Sequence, residues 1–172
     1  RLVPLDLLYA HPPDADTCHY LQDNGLAREE YDWFMAGEPP GYQIMGNDYY
    51  GRNERIKLPD GSFSTAEDVL GWYQITHDYY MRYKKPVMHT ETNVFNAEEA
   101  PKWLWKQWIN VLRMRADGVP VLGFTWYSLI DQIDWDLELA EKKGHVNECG
   151  LYDLDRQPHP VADAYRQLLK EY

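Results

Sequence analysis

The chain has 172 residues, enough for one domain with a substantial buried core. With 28 acidic and 17 basic side chains its formal charge is −11 at pH 7. That charge argues against a nucleic acid or an anionic membrane as partner, because both bind basic surfaces. Hydrophobic residues make up 44% of the chain and aromatic residues 15%, a globular composition whose flat rings also suit the faces of sugars.

The two cysteines, Cys18 and Cys149, lie far apart and follow no metal-ligand spacing. We therefore expect buried or idle thiols and no disulfide framework. No segment is long and apolar enough to span a membrane. No signal peptide is visible, but the chain begins at Arg1 without a Met. We expect the true N-terminus to lie upstream, which leaves the localisation open, with the cytoplasm favoured.

The first 40 residues differ from the rest of the chain. They contain proline-rich turns and leucine-rich pieces, which predict a connecting segment with one short helix around residues 28–35. Glu29 and Glu30 are the acidic residues expected in the first turn of that helix.

From residue 41 onward, strands and helices alternate. Residues 43–50 predict a strand that ends in polar residues, followed by a turn at residues 59–61. Ser64 and Glu67 form a capping-box pattern, which predicts a helix from there to about Tyr83.

Two further strands and two further helices complete the chain. The apolar run at residues 86–88 predicts a short buried strand, and a helix with Pro101 in its first turn follows and ends at Gly118. Residues 119–128 predict a third strand that is apolar enough to be covered on both faces. After a long acidic loop, residues 161–170 predict the last helix.

Consecutive strands joined by helices indicate a parallel α/β sheet or barrel. Three strands cannot close a barrel, and an eight-stranded barrel needs about 250 residues. We therefore interpret the chain as the C-terminal part of a larger (β/α)8 TIM barrel, with its partner strands absent or on another chain.

Each predicted strand ends in a polar or aromatic cluster. The clusters contain Asn47, Asp48 and Tyr50; then Glu91 and Asn93; then Trp126, Tyr127 and Ser128. Parallel strands bring their carboxyl ends to one mouth, where ligands bind and chemistry occurs. Glu91 is therefore a candidate nucleophile or acid-base group. An acidic helix cap or a solvated loop end is the alternative for Glu91.

Four segments resemble motifs of glycoside hydrolase family 1, the β-glucosidase-like retaining enzymes. They are GNDYY at residues 46–50, HTETN at 89–93, YSLIDQIDW at 127–135, and GLYDLD at 150–155 followed by Pro158. They occur in the family's order and spacing and correspond to strands six, seven and eight and the closing segment of its barrel. The resemblance covers most of the chain from about residue 21 and implies units six to eight of a single barrel over residues 41–172.

The resemblance implies roles for individual residues. Glu91 would attack the anomeric carbon and form a glycosyl-enzyme, and Tyr50 would hydrogen-bond Glu91 and favour its charged form. The implied substrate-binding residues are Asp48, Asn93, Trp126, Tyr127, Asp134 and Trp135, with either Trp126 or Tyr127 flooring the glycone subsite. For His89 two interpretations stay open: a role in the site beside Glu91, or a bond that only satisfies a backbone carbonyl.

The chain departs from the family pattern at several positions. Thr92 follows the nucleophile where the family has Asn, Asp48 replaces an Asn and Asp134 replaces a Glu, while Trp126 stands one residue early. The family's acid/base Glu follows strand four, which is not in this chain. The pair Asn53-Glu54 comes after strand six, and we interpret Glu54 as part of a surface ion-pair cluster with Arg52 and Arg55.

The resemblance implies a retaining β-glycosidase without metal or organic cofactor, acting on a neutral β-glycoside or oligosaccharide. The loop after the third strand is acidic and does not suit a phosphorylated sugar. The missing half-barrel would be supplied in cis or in trans, and the chain alone would be inactive. Two alternatives stay open: a carbohydrate-binding or structural relative that lost catalysis, and a barrel enzyme in which Glu91 is a general base on a non-sugar substrate.

Overall fold

The computed structural model describes residues 2–37, 41–65 and 71–172. The chain divides into two compact units, Arg1–Gln43 and Ile44–Tyr172. The sequence placed this division at residue 40.

The first unit consists of three short helices: α1 (Val3–Leu8), α2 (Ala15–Asp23) and α3 (Arg28–Ala36). Only α3 was predicted. Asp14 caps α2 by accepting the backbone N–H of Thr17 at 2.8 Å. Glu30 accepts the backbone N–H of Ala27 at 2.9 Å, so this first-turn acid closes the start of α3.

The second unit begins with strand β1 (Met45–Asn47), which is followed by an antiparallel hairpin of β2 (Arg55–Lys57) and β3 (Phe63–Thr65). The predicted capping box is wrong for Ser64, which lies in β3 opposite Ile56. Glu67 lies outside the described residues. Helix α4 is described over Gly71–Tyr83.

The next elements follow the predicted order: strand β4 (Val87–His89), helix α5 (Ala100–Ala116) and strand β5 (Val121–Phe124). Pro101 stands in the first turn of α5, where its missing N–H is not needed. Gly118 follows α5 with φ +79°, a conformation that costs glycine little.

The three strands form a parallel sheet in the order β1-β4-β5. Met45 and Val87 are aligned and buried on the face that α4 and α5 cover, where Leu104 and Trp108 of α5 also lie. Within the described residues, β1 and β5 each have a strand neighbour on one side only. The fold is thus an α/β unit with two open sheet edges, as a partial barrel would have.

The acidic loop contains regular structure that was not predicted. Strand β6 (Gln132–Ile133) pairs with β7 (Val146–Asn147), and a 3₁₀ turn covers Trp135–Leu137. Helix α6 (Pro160–Glu171) ends the chain.

A buried carboxylate fixes this end of the chain. Asp131 accepts the backbone N–H of Gly150 at 2.8 Å and lies 2.9 Å from Nε2 of His159, the residue before α6. Asp131 therefore joins the loop after β5 to the start of the last helix.

Candidate active site

The segment that follows β4 stays bonded to both neighbouring strands. The backbone N–H of Tyr49 donates to the carbonyl of Glu91 at 2.9 Å, and that of Tyr127 donates to the carbonyl of Thr92 at 3.1 Å. The ladder thus continues past the strand ends and holds the backbone of Glu91 between the ends of β1 and β5.

Glu91 is half-buried, and its carboxylate accepts one short hydrogen bond. The phenol of Tyr50 donates to Glu91 Oε2 at 2.6 Å, the contact that the family resemblance implies. Burial raises the pKa of Tyr50 well above its usual value, and the hydrogen bond to Glu91 adds to the effect. The phenol therefore stays protonated and remains a donor to a carboxylate at neutral pH.

Thr90, the residue before Glu91, contacts the residue that follows β1. Its hydroxyl donates to Asp48 Oδ1 at 2.6 Å. The position beside it is glycine: a methyl group added at Gly46 would come within 2.6 Å of Thr90 Cγ2. The absence of a side chain at Gly46 lets Thr90 approach Asp48, so one oxygen of Asp48 is occupied within the protein.

Thr92 is fully buried and accepts the indole N–H of Trp103 at 2.7 Å. The ring of Trp103 also stacks on Tyr49, with centroids 6.2 Å apart and planes 4° apart. Trp103 therefore joins α5 both to the segment that contains Glu91 and to Tyr49, which follows β1. The Thr that replaces the family's Asn has a structural partner of its own.

Asn93 is buried, and its side-chain amide donates to the carbonyl of Tyr127 at 2.6 Å. This bond ties the end of the segment to the loop after β5. The structure thus gives Asn93 a positioning contact, whereas the resemblance implies a substrate contact.

Of the two rings considered for the glycone floor, Trp126 is buried and donates its indole N–H to the carbonyl of Cys149 at 3.0 Å. Tyr127 is half-exposed, and its ring centroid lies 5.7 Å from that of Trp135. Burial raises the pKa of Tyr127, and the charge of Glu91 raises it further, as expected for a phenol near that carboxylate. Of the two rings, Tyr127 is therefore the one with a solvent-accessible surface, whereas Trp126 is packed inside the protein.

Asp134 has a different environment from the one implied by the resemblance. Its carboxylate accepts the backbone N–H groups of Lys143, Gly144 and His145 at 2.8–2.9 Å. These bonds, led by that of Gly144, lower the pKa of Asp134 and keep it ionised. Asp134 is also buried, so its three hydrogen bonds fix the loop that carries Trp135.

His89 is fully buried behind the sheet and stacks on Trp72 at 4.7 Å. Its Nε2 lies 3.4 Å from Oε1 of Gln107. The expected bond to a backbone carbonyl is not what the described residues provide, since Nδ1 has no hydrogen-bond partner among them. Burial lowers the pKa of His89 to about 4, only partly offset by the bond to Gln107, so the ring is neutral at pH 7.

Glu54 is not explained by an ion pair with its arginine neighbours alone. Its Oε1 accepts the phenol of Tyr49 at 3.0 Å and the backbone N–H of Gly71 at 2.8 Å. Glu54 thus joins the end of β1 to the start of α4.

Cys18 and Cys149 are both free thiols. In residues 2–37, 41–65 and 71–172, no cluster of three or more metal-ligating side chains occurs. Nor does any described helix combine the length and apolar character of a membrane span.

The sequence did not identify Trp103 as a neighbour of Glu91, and it placed Thr90 and Thr92 in the motif at residues 89–93 without indicating their partners. For Trp103, the feature of the sequence that could have indicated this contact is the short distance along the chain between the end of β4 and the first turn of α5. Which way an indole ring points depends on packing, which a single sequence does not specify.

Comparison with known proteins gives the fold. No family model matches the chain. It is 26% identical over 129 residues to the galactolipid galactosyltransferase SFR2, chloroplastic, of Arabidopsis thaliana, which corresponds to 74% of this chain and 18% of that protein.

Solved structures are similar over more of the chain. A β-glucosidase from Thermotoga maritima in complex with deoxynojirimycin has a TM-score of 0.67 and 18% identity, covering 96% of this chain and 43% of that one. The β-glycosidase BGL167 has a TM-score of 0.56 and 20% identity, with 72% of this chain and 33% of that one covered. The chain spans less than half the length of the structures that it matches, and its fold corresponds to part of a β-glucosidase.

Proposed function

We propose that this chain supplies the nucleophile side of a retaining β-glycosidase, with Glu91 as the nucleophile. The observation that carries the proposal is the 2.6 Å hydrogen bond from Tyr50 to Glu91 at the carboxyl ends of two parallel strands. Similarity to part of a β-glucosidase supports it, as does the dense bonding that fixes residues 90–93.

In the first step, a carboxylate oxygen of Glu91 attacks the anomeric carbon of a β-glycoside and the aglycone leaves with a proton. An acid/base carboxyl about 5–5.5 Å away donates that proton in retaining enzymes. We assign this group to the complementary half of the barrel. In the second step, the same group takes a proton from water, the water attacks the anomeric carbon, and Glu91 is released as a carboxylate.

The phenol of Tyr50 contributes by orientation. It holds Glu91 Oε2, so that Glu91 presents a defined oxygen to the sugar. Because the hydrogen bond is made before substrate arrives, no reorganisation is needed during the reaction.

The substrate class we propose is a neutral β-glycoside, with Tyr127 and Trp135 as the flat surface that contacts the sugar. A tilted aromatic pair in which both rings are half-exposed suits the apolar face of a pyranose. Two of the similar structures are of one protein, the Thermotoga maritima β-glucosidase, in complex with deoxynojirimycin and with noeuromycin, which supports a carbohydrate ligand.

Glycosyl transfer is a second candidate, favoured by the sequence match to a galactolipid galactosyltransferase. It uses the same glycosyl-enzyme on Glu91, but a sugar hydroxyl takes the place of water in the second step. A carbohydrate-binding relative without catalysis is the remaining alternative.

Hydrolysis of 4-nitrophenyl β-glycosides by the assembled protein tests the proposal, with proton NMR of the first sugar released. Retention predicts the β-anomer as first product. Glu91→Ala should lower the rate by about 10⁴-fold or more, as deletion of other catalytic nucleophiles does.

Tyr50→Phe should lower the rate by about tenfold, the value of one charge-assisted hydrogen bond. Glu98→Ala is a matched control on an exposed carboxylate and should leave the rate unchanged. Inactivity of a folded, assembled protein towards every β-glycoside would favour the binding alternative, and an α-anomer as first product would contradict a nucleophilic Glu91.

A further inference from the structure

We infer that Asn53 and Glu54 are positioning residues for the nucleophile, acting through Tyr50 and Tyr49 respectively. The inference rests on the proposed function of Glu91. The pair Asn53-Glu54 resembles the family's acid/base motif, but it follows strand six of the family's barrel and not strand four. The inference gives this pair a role.

Asn53 closes a turn around Tyr50. Its Oδ1 accepts the backbone N–H of Tyr50 at 2.6 Å, and its own backbone N–H donates to the carbonyl of Tyr50 at 3.0 Å. Both backbone groups of Tyr50 are thereby fixed by one residue. The direction of the phenol towards Glu91 depends on that backbone.

Glu54 connects the two ends of the segment that contains the β2–β3 hairpin. One oxygen, Oε1, accepts both the Tyr49 phenol and the Gly71 N–H. Between these two points the chain forms the β2–β3 hairpin, in which Arg55–Lys57 are all exposed. A two-stranded hairpin is marginally stable by itself, so its position depends on such ties at its base.

Tyr49 and Tyr50 contact Glu91 in different ways. Tyr49 binds the backbone of Glu91 through its N–H at 2.9 Å, and Tyr50 binds the carboxylate through its phenol at 2.6 Å. Asn53 and Glu54 therefore act on the two residues that fix the backbone and the side chain of the nucleophile.

The test measures the first chemical step alone. The probe is 2,4-dinitrophenyl 2-deoxy-2-fluoro-β-D-galactoside and the corresponding glucoside, whose leaving group needs no proton and whose fluorine slows the second step. Labelling of the assembled protein, followed by intact mass, gives a limiting rate and an apparent dissociation constant for the probe.

Asn53→Ala should lower the limiting labelling rate by about tenfold, the value of about one hydrogen bond. The apparent dissociation constant should stay within about twofold, because Asn53 does not contact the sugar. Asn53→Asp keeps the acceptor oxygen and should restore the rate to within about threefold of the wild type.

Asn96→Ala is the matched control. It removes the same side chain, and Asn96 Oδ1 likewise accepts backbone N–H groups, those of Glu98 and Glu99 at 3.0 and 3.2 Å. This variant should label like the wild type. Loss of rate in the Asn53→Asp variant equal to that in Asn53→Ala would overturn the inference, as would equal rates for Asn53→Ala and Asn96→Ala.

Glu54→Gln separates positioning from acid catalysis. The amide keeps an acceptor oxygen for Tyr49 and Gly71 but cannot donate a carboxyl proton. Turnover of a methyl β-glycoside, whose leaving group needs a proton, should stay within about threefold in Glu54→Gln and fall about tenfold in Glu54→Ala. A loss of about 10²–10⁴-fold in Glu54→Gln would make Glu54 the acid and overturn the inference.

Labelling of the wild type distinguishes failure of the positioning role from failure of the proposed function. If the wild type is labelled on Glu91 but the variants behave alike, the positioning role fails and the proposed function stands. If the folded wild type is not labelled at all, both fail.

Discussion

Replacing Gly46 by alanine tests how closely β1 and the segment at residues 90–93 are packed. The added methyl would lie 2.6 Å from Thr90 Cγ2 and 3.2 Å from Thr90 Oγ1. Non-bonded carbon atoms normally approach to about 3.5–4.0 Å, so the overlap is about 1 Å. Thr90 can avoid it only by rotating, which breaks its 2.6 Å hydrogen bond to Asp48, or by displacement of the strand.

We expect Gly46→Ala to lower the free energy of unfolding by about 2–3 kcal/mol, the sum of overpacking and a lost hydrogen bond. Gly51→Ala is the matched control, because the methyl added there would lie 3.6 Å from the ring of Trp103, an ordinary contact. It should change the free energy by less than about 0.5 kcal/mol, as for other surface substitutions.

The decisive variant combines Gly46→Ala with Thr90→Ser. Serine lacks the methyl at 2.6 Å but keeps the hydroxyl that bonds Asp48. Alone, Thr90→Ser should cost about 0.8 kcal/mol for one methyl group. In the double mutant the two effects should not add, and a favourable coupling of about 1–2 kcal/mol should appear in urea unfolding followed by tryptophan fluorescence. Additivity within about 0.5 kcal/mol would refute the packing argument.

Three further changes have defined outcomes. His89 has its pKa lowered to about 4 by burial, so the folded state disfavours its protonation; the stability that the neutral ring provides is complete above pH 6.5 and is lost as the pH falls towards 4, by about 3 kcal/mol. His89→Phe should remove that part of the pH dependence in urea unfolding at pH 7, 5.5 and 4, and identical pH profiles would contradict it. Trp103→Phe keeps the stacking ring but loses the bond to Thr92, so it and Thr92→Val should each slow turnover by up to about tenfold and should not add when combined. Asp134→Ala frees three backbone donors of the loop that carries Trp135, so KM should rise more than kcat falls, and an unchanged KM would show that the loop does not contribute to binding.

The order of the parallel strands was predictable because the signals are local. Short apolar runs at β4 and β5, a proline tolerated at the start of α5 and a glycine after its end identify the alternation of strand and helix. The β2–β3 hairpin was missed because Ser64 was assigned to a helix cap. In the structure it pairs across the hairpin with Ile56, a contact that depends on the opposite strand and not on its own neighbours.

The site was predictable to a similar degree. The contact between Tyr50 and Glu91 followed from the family resemblance, and the strand ends explain why the two residues meet. Asp134 was expected to bind sugar because it stands where the resembled family has a sugar-binding Glu. The loop folds back so that three backbone N–H groups converge on it, which residue spacing alone does not reveal.

Azide rescue of Glu91→Ala tests the central claim most directly. In the assembled protein, removing the carboxylate leaves space on the face of the sugar that Glu91 would attack. With 2,4-dinitrophenyl β-glycoside as substrate, azide should restore turnover and displace dinitrophenolate with inversion, so that the product is an α-glycosyl azide. If azide has no effect on a folded Glu91→Ala variant that has lost activity, or if the variant is as active as the wild type, Glu91 is not the nucleophile.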